Sequence, residues 1–329
     1  MENFFGKVLN FVNFSGGTVK SNEIPDETFI KEIMATKLLA PLSKKTYTKN
    51  LLKITKLFFD KQVSIHWVIH HPDEFKIACE KYGQENKLQP ASLAQYMVPI
   101  MYCLVAHREL QEANPKLKYK WARIRDEIRE PDDAYEKENR ATTKQEKAFM
   151  PFDEICKIRD KLPDGSMGKL LLSMYTMIEP VRSDFDTTRI YDEEPNDDNG
   201  NYIVLGKIKS LYLNKYKTSE RYGKTIIKLP DELITQIKES LKKNPRDYLF
   251  KPLHGETFNS NTFNKWANRT LKNILNNESF TLTMLRHSYL SQPKLDLENK
   301  SMGERREIAD KMLHSVGVQK IYPLKIKSK

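Results

Sequence analysis

Cysteine is scarce in this chain. Three occur in 329 residues, Cys79, Cys103 and Cys156, far apart and with no CxxC spacing. That argues against a disulfide framework or a zinc module and fits a reducing setting in which the thiols serve as small buried hydrophobes. Long apolar runs are missing as well. The longest, Met97 to Ala106, is ten residues with Pro99 inside it, where a spanning helix needs about 20. The first 17 residues carry Glu2 and Lys7 and no extended apolar stretch, so no secretory signal is read there. No glycine loop precedes a P-loop lysine, which removes the usual sign of ATP use. Internal repeats and low-complexity segments are also wanting.

What the chain has is positive charge. Lys plus Arg number 55 against 44 Asp plus Glu, a net +11, while 39% apolar content leaves enough material for real cores. A surplus of this size attracts polyanions, nucleic acid first and an anionic membrane surface second. At about 150 residues per domain the length predicts two domains.

The surplus is unevenly placed. Ala40 to Arg125 holds 15 basic and 7 acidic residues. From Ser43 to Phe59 apolar Tyr47, Leu51, Ile54, Leu57 and Phe58 recur at three- and four-residue spacing, with Lys44, Lys45, Lys49, Lys53 and Lys56 between them. This predicts an amphipathic helix with a lysine face, opened by a Ser43 cap. Further helices are expected over 73–81 and from about 90 or 92 to 111. Asp126 to Glu146 then reverses the balance, with 8 acidic and 4 basic residues, and reads as an exposed, partly helical linker. The predicted organisation is an extension at 1–25, a basic helical domain at 26–125, an acidic linker at 126–148 and a second domain at 149–329.

The second domain begins with helical spacing near Phe152 and from Leu170 to Ile178. After the acidic turn Asp192–Gly200 it changes period. Short β-type runs at 202–205, 211–216 and 225–229 predict a small antiparallel sheet. Helices are expected again over 232–243, 262–275, 281–291 and 304–313. The fold class is thus mainly α with one small sheet.

Four segments of this domain carry reactive side chains. They are Glu179-Pro180-Val181-Arg182-Ser183-Asp184-Phe185; Leu213-Asn214-Lys215-Tyr216-Lys217-Thr218 with Tyr222-Gly223-Lys224-Thr225; Thr283-Met284-Leu285-Arg286-His287-Ser288; and Met312-Leu313-His314-Ser315 followed by Tyr322. In that order, over about residues 149 to 324, they resemble the catalytic half of the tyrosine recombinases. That family carries an arginine on an early helix, a lysine in a β-hairpin, a His-x-x-Arg-His-Ser/Thr box, a Gly-His-Ser box and a tyrosine soon after. The first half is similar to the family's core-binding domain only in general character.

The resemblance implies a DNA recombinase or integrase of a virus or mobile element, with two α-rich domains clamping duplex DNA. Tyr322 would be the nucleophile and form a 3′-phosphotyrosyl bond. Arg182 and Arg286 would hold the phosphate, Lys217 would protonate the leaving 5′-oxygen, and His314 would hydrogen-bond the phosphate. His287 and Thr283 would stand behind the site. No metal, ATP or small-molecule cofactor and no membrane is implied. Double-stranded DNA would be the partner, bound by a homo-tetramer on two sites, inside the cell: in the nucleus, a viral replication compartment or a prokaryotic cytoplasm. Lysines 44–56, Lys215 and Lys224 would supply DNA contacts.

The chemistry is consistent with these types. A phosphodiester broken without a metal needs a nucleophile, cations on its non-bridging oxygens and an acid for the leaving oxygen, and guanidinium stays charged while presenting paired donors. Plainer roles stand beside each assignment. Arg182 can pair with Asp184 or Asp186, and Lys215 or Lys224 replaces Lys217 if the register shifts. Helix spacing places Leu282, Leu285 and Tyr289 toward the core and sets Thr283 and Arg286 three apart on a neighbouring face. Thr283 stands where the family has histidine, and Leu313 where it has glycine. Rival readings are a type IB topoisomerase, a DNA-binding relative without catalysis, and a metal-dependent nuclease using the acidic loop.

Overall fold

The computed structural model describes residues 26–325 except 36–38, 61–62, 138, 183, 198 and 256. The expected extension at 1–25, Ser183 of the first motif and Asp198 of the acidic turn lie outside the described residues. Contacts divide the chain into two units, Met1–Asp133 and Ala134–Lys329.

The first unit is helical: α1 (Asp26–Met34), α2 (Pro41–Phe59), α3 (Ile65–His70), α4 (Pro72–Glu85), α5 (Pro90–Ala94), α6 (Met97–Ala106), α7 (Arg108–Ala113) and α8 (Leu117–Lys137). The lysine helix α2 begins before Ser43, because Pro41 occupies its first turn, where a missing N–H costs nothing and φ is already helical. Its buried face is Leu51, Ile54, Thr55 and Phe58. Lys45, Lys49, Lys53 and Lys56 are exposed on the other side and Lys44 is half-exposed. Phe58 stands edge-on to Phe75, Tyr82 and Tyr96 at 5.2 Å each, and the buried Trp121 donates its indole N–H to the Ile69 carbonyl at 2.9 Å.

The expected long helix from 90 to 111 is three helices, α5 to α7. Pro99 lies in the first turn of α6, the position where a proline is tolerated, so a new helix has to start there. The acidic stretch 126–148 is largely helical: α8 runs to Lys137 with Pro131 inside it. A second helix, α9 (Thr143–Ala148), is closed by a reciprocal Thr142–Gln145 capping box.

The second unit adds α10 (Phe152–Lys161), α11 (Met167–Thr176), α12 (Ser219–Tyr222), α13 (Asp231–Lys243), α14 (Ser260–Leu275), α15 (Leu282–Leu290), α16 (Met302–Lys311) and α17 (Val316–Gln319). α11 is apolar nearly all round, with Leu170, Leu171, Leu172, Met174 and Tyr175 buried. It is a central helix of one core shared with Ile155, Ile237, Phe263, Leu271, Leu285 and the inner face of the sheet. The sheet has four strands in sequence order: β1 (Arg189–Tyr191), β2 (Tyr202–Val204), β3 (Ser210–Leu213) and β4 (Thr225–Lys228). It is mixed, which corrects the antiparallel expectation. β1 pairs with β2 in parallel, while β2, β3 and β4 alternate in direction. The acidic turn is the β1–β2 connection. Gly206 packs so closely on it that a Cβ there would stand 2.2 Å from the Asp192 carbonyl oxygen.

Candidate active site

The first motif follows α11. The buried hydroxyl of Tyr175 donates to the Arg182 carbonyl at 2.7 Å and fixes the arginine's backbone. The Arg182 side chain is half-buried. Burial raises the Asp184 carboxyl above its usual range, opposed by the Arg182 charge and by the nearby Lys217 backbone N–H.

The second motif lies on a turn rather than on a hairpin strand. β3 ends at Leu213, and Lys215 and Lys217 are both exposed on the connection to α12. Tyr216 between them is buried, with its hydroxyl donating to the Gly223 carbonyl at 2.7 Å. Thr218 Oγ1 donates to the Leu313 carbonyl at 3.1 Å, so this turn touches the segment of the fourth motif. Lys224, beyond α12, is exposed.

The third motif is α15, opened by Thr281, whose side chain accepts from the Met284 N–H. Arg286 is 3% exposed. Its Nη2 donates to the Met312 carbonyl at 3.3 Å, and Nε and Nη1 make no hydrogen bond. Burial pulls this guanidinium below its usual range; Tyr322 opposes the shift and the Arg182 charge adds to it. His287 Nδ1 contacts the Tyr322 carbonyl at 2.7 Å. A carbonyl only accepts, so the ring hydrogen sits on Nδ1. Thr283 does not share the burial of Arg286: it is exposed. Three residues turn a helix through about 300°, and the border between buried and open surface falls in the gap.

The fourth motif is set by the end of α16. Leu313 N–H bonds the Asp310 carbonyl and His314 N–H bonds the Ala309 carbonyl, each at 3.0 Å, and Leu313 has φ +56°. This is a Schellman turn, which favours glycine at its left-handed position. Here leucine holds it, with its side chain in the core. The turn delivers His314 to a site where it is 2% exposed. His314 Nδ1 meets the Ser315 carbonyl at 3.2 Å, which again places the hydrogen on Nδ1. Nε2 is buried and has no hydrogen-bond partner. Burial first, then the charges of Arg286 and Arg182, push its pKa down to about 4. Ser315 caps α17, and the half-buried Tyr322 follows, with its N–H on the Gln319 carbonyl at 3.1 Å.

The third and fourth motifs therefore meet around one ring. Tyr322 lies 5.0 Å from Arg286 Cζ, 4.9 Å from the His287 ring and 5.5 Å from the His314 ring, measured to its centroid. Arg182 reaches the same group through its charge on Arg286 and His314. Lys217 is tied in by its neighbour Thr218. Tyr175 and Asn201 stand outside the sequence motifs, and Thr218 stands inside one with no role read for it. Asn201 is buried and bonds both the Arg182–Asp184 segment and the Lys215 turn.

Among the described residues no three His, Cys, Asp or Glu side chains are grouped so as to hold a metal ion. In the acidic turn Glu194 accepts from the Tyr212 hydroxyl at 3.1 Å. His66 and His70 stand 4.7 Å apart, and His71 stacks on Trp67 at 4.0 Å. No helix among the described residues is long and apolar enough to cross a membrane.

No family model and no curated protein matches the chain. Among solved structures, the crystal structure of XerA recombinase aligns with a TM-score of 0.41 and 13% identity, over 92% of this chain and 94% of that one. That likeness is too low to assign a fold or a chemistry.

Proposed function

We propose that the chain is a tyrosine-type DNA strand transferase that cuts and rejoins duplex DNA through Tyr322, using guanidinium charge to hold the phosphate. One observation carries this reading: Arg286 is buried with Nε and Nη1 unbonded, beside the unbonded Nε2 of His314, around the ring of Tyr322. A buried cation with unpaired donors is costly, and an oxyanion seated at Nε and Nη1 of Arg286 removes that cost. A phosphodiester brings such oxygens to a phenol.

In the proposed step the Tyr322 oxygen attacks phosphorus, the bond to the 5′-oxygen breaks, and the leaving oxygen takes a proton from Lys217 Nζ. Arg182 and Arg286 balance the charge on the non-bridging oxygens. The lone pair on His314 Nε2 receives the phenolic proton, in place of the histidine absent at Thr283. The imidazolium then donates that hydrogen to a phosphate oxygen. Rejoining reverses the sequence.

Double-stranded DNA as the partner is supported by the lysine face of α2 and by exposed Lys215 and Lys224. Exchange between two sites requires several active subunits, so a tetramer on two duplexes is proposed. So are a clamp of the two units around the duplex and an origin in a virus or mobile element, with work in a nucleus, a viral replication compartment or a prokaryotic cytoplasm. The test is capture of DNA from a randomised library of nicked duplexes. Wild type should form a denaturant-stable adduct joined to a 3′ end, and Tyr322→Phe should form none. An adduct that persists in Tyr322→Phe removes this tyrosine as nucleophile.

A further inference from the structure

We infer that Asn201 is a positioning residue of this site, one that welds the turn carrying Lys217 to the turn carrying Arg182 so that the acid and the phosphate-binding cation are placed together. The inference rests on the strand-transfer reading above.

Asn201 immediately precedes β2 and is 3% exposed. Its Nδ2 donates to two carbonyls, Asp184 at 2.9 Å and Lys215 at 2.8 Å. Its Oδ1 accepts from two backbone N–H groups, Asn214 at 2.9 Å and Lys215 at 2.8 Å. A carboxamide has two donor hydrogens and two acceptor lone pairs, and all four are used. They join three stretches of chain, around residues 184, 201 and 215. Aspartate lacks the donors, and glutamine sets the same amide one methylene too far out. The backbone carbonyl of Asn201 accepts from Arg189 N–H at 2.9 Å, which anchors the clamp to the sheet.

A lysine on an exposed turn has a long flexible stem, so the position of its Cα decides whether the ammonium reaches the leaving oxygen. β3 ends at Leu213, and the strand ladder fixes nothing beyond it. From there the turn is held by Asn201 at Lys215 and by Leu313 at Thr218. The first of these ties leads to the Arg182 segment.

The test uses full-length protein and a duplex recovered in the adduct selection, made in two forms. One has the natural phosphodiester. The other has sulfur in place of the bridging 5′-oxygen, a leaving group that departs without an acid. Asn201→Ala should slow adduct formation on the natural duplex by about 10²-fold, as expected for a misplaced catalytic group. On the sulfur-bridged duplex it should stay within about threefold of wild type. Asn201→Ala combined with Lys217→Ala should be no slower than Lys217→Ala alone. Backbone amides of Asn214 and Lys215 should exchange hydrogen faster in the variant. Ile203→Ala, a buried change on β2 outside the clamp, controls for lost stability and should affect both duplexes alike. If Asn201→Ala does not fold, Asn201→Ser, which has neither the carboxamide nor a charge, is judged by the same ratios. Equal slowing of both duplexes, or unchanged amide exchange, overturns the inference while leaving Tyr322 as nucleophile. A selection in which wild type captures no duplex overturns the strand-transfer reading and this inference together.

Discussion

The imidazole of His287 donates from Nδ1 to the backbone carbonyl of Tyr322 over 2.7 Å, tying the proposed nucleophile to the helix that carries Arg286. His287→Ala removes this tie and should slow adduct formation by about 10²-fold, since a small misplacement of a reacting group costs that much. Binding of the same duplex should be unchanged in a gel-shift titration. His287→Asn, which keeps a donor, should recover part of the rate. An unaltered rate in His287→Ala would show that the tie does not position the tyrosine.

Arg286→Met should separate stability from activity. The guanidinium is buried with one hydrogen bond, to Met312, and two unbonded nitrogens. Replacing buried ionic groups by well-packed apolar chains of similar volume is often neutral or stabilising, by up to about 4 kcal/mol. The variant is expected to melt higher than wild type in the absence of DNA and to form no adduct. A lower melting temperature would mean that the charge is needed by the fold.

His314 sets a pH dependence with a definite sign. Its pKa is pushed down to about 4 from 6.5, so between those values the unfolded chain binds more protons than the folded one. Its contribution is complete above about pH 6.5 and is lost as the pH falls toward 4, about 3 kcal/mol in all. The pKa of His287 is also lowered, by burial first, and acts in the same direction. Urea midpoints should therefore fall from pH 7 to pH 4.5, and His314→Gln should flatten that slope. Adduct formation should decline only as the pH approaches 4, where His314 Nε2 gains its proton.

Leu313→Gly tests two opposed terms. Glycine relieves the left-handed backbone at φ +56°, worth about 1 kcal/mol. It also empties a core position that is 2% exposed, costing about 3 kcal/mol. Burial wins, and chemical denaturation should show a net loss of about 2 kcal/mol. A gain in stability would mean that backbone strain dominates.

The lysine face of α2 should appear as salt dependence. Each lysine that neutralises a phosphate lowers the slope of log K against log salt by about one when removed. Changing Lys45, Lys49, Lys53 and Lys56 to Ala together should cut the slope by about 4 and weaken binding similarly on unrelated sequences. An unchanged slope would remove this helix from the DNA contact surface.

Periodicity made α2 legible through its apolar stripe, and α15 through the spacing of Leu282 and Leu285 and a threonine cap at its start. It failed where proline restarts a helix at Pro41 and Pro99, a local covalent constraint that hydrophobic spacing does not report. β1 was invisible for another reason. It is three residues long and half-exposed, and its partner β2 lies beyond the acidic turn. Parallel pairing leaves no turn signal in the sequence.

Within the site, the order of Arg182, Arg286, His314 and Tyr322 was readable because each is a reactive residue in a short motif. The groups that hold them were not. Asn201 is an asparagine at the end of an acidic turn, a place where most asparagines face solvent, and Tyr175 reads as one more core aromatic. Their roles depend on which loops meet in space. Thr283 shows the converse: spacing put it near Arg286, yet α15 presents it to solvent.

Beyond Tyr322, Leu324 N–H bonds Ser291 Oγ at 2.9 Å, and Lys325 lies in a parallel bridge with Arg140, its N–H on the Asn139 carbonyl at 2.8 Å. The first and last stretches of the second unit thus run side by side. Tyr322 is held from both directions of the backbone, as if on a closed ring. A circular permutant that joins Lys325 to Asn139 by a short linker and opens an exposed surface loop instead would leave the path past Tyr322 intact.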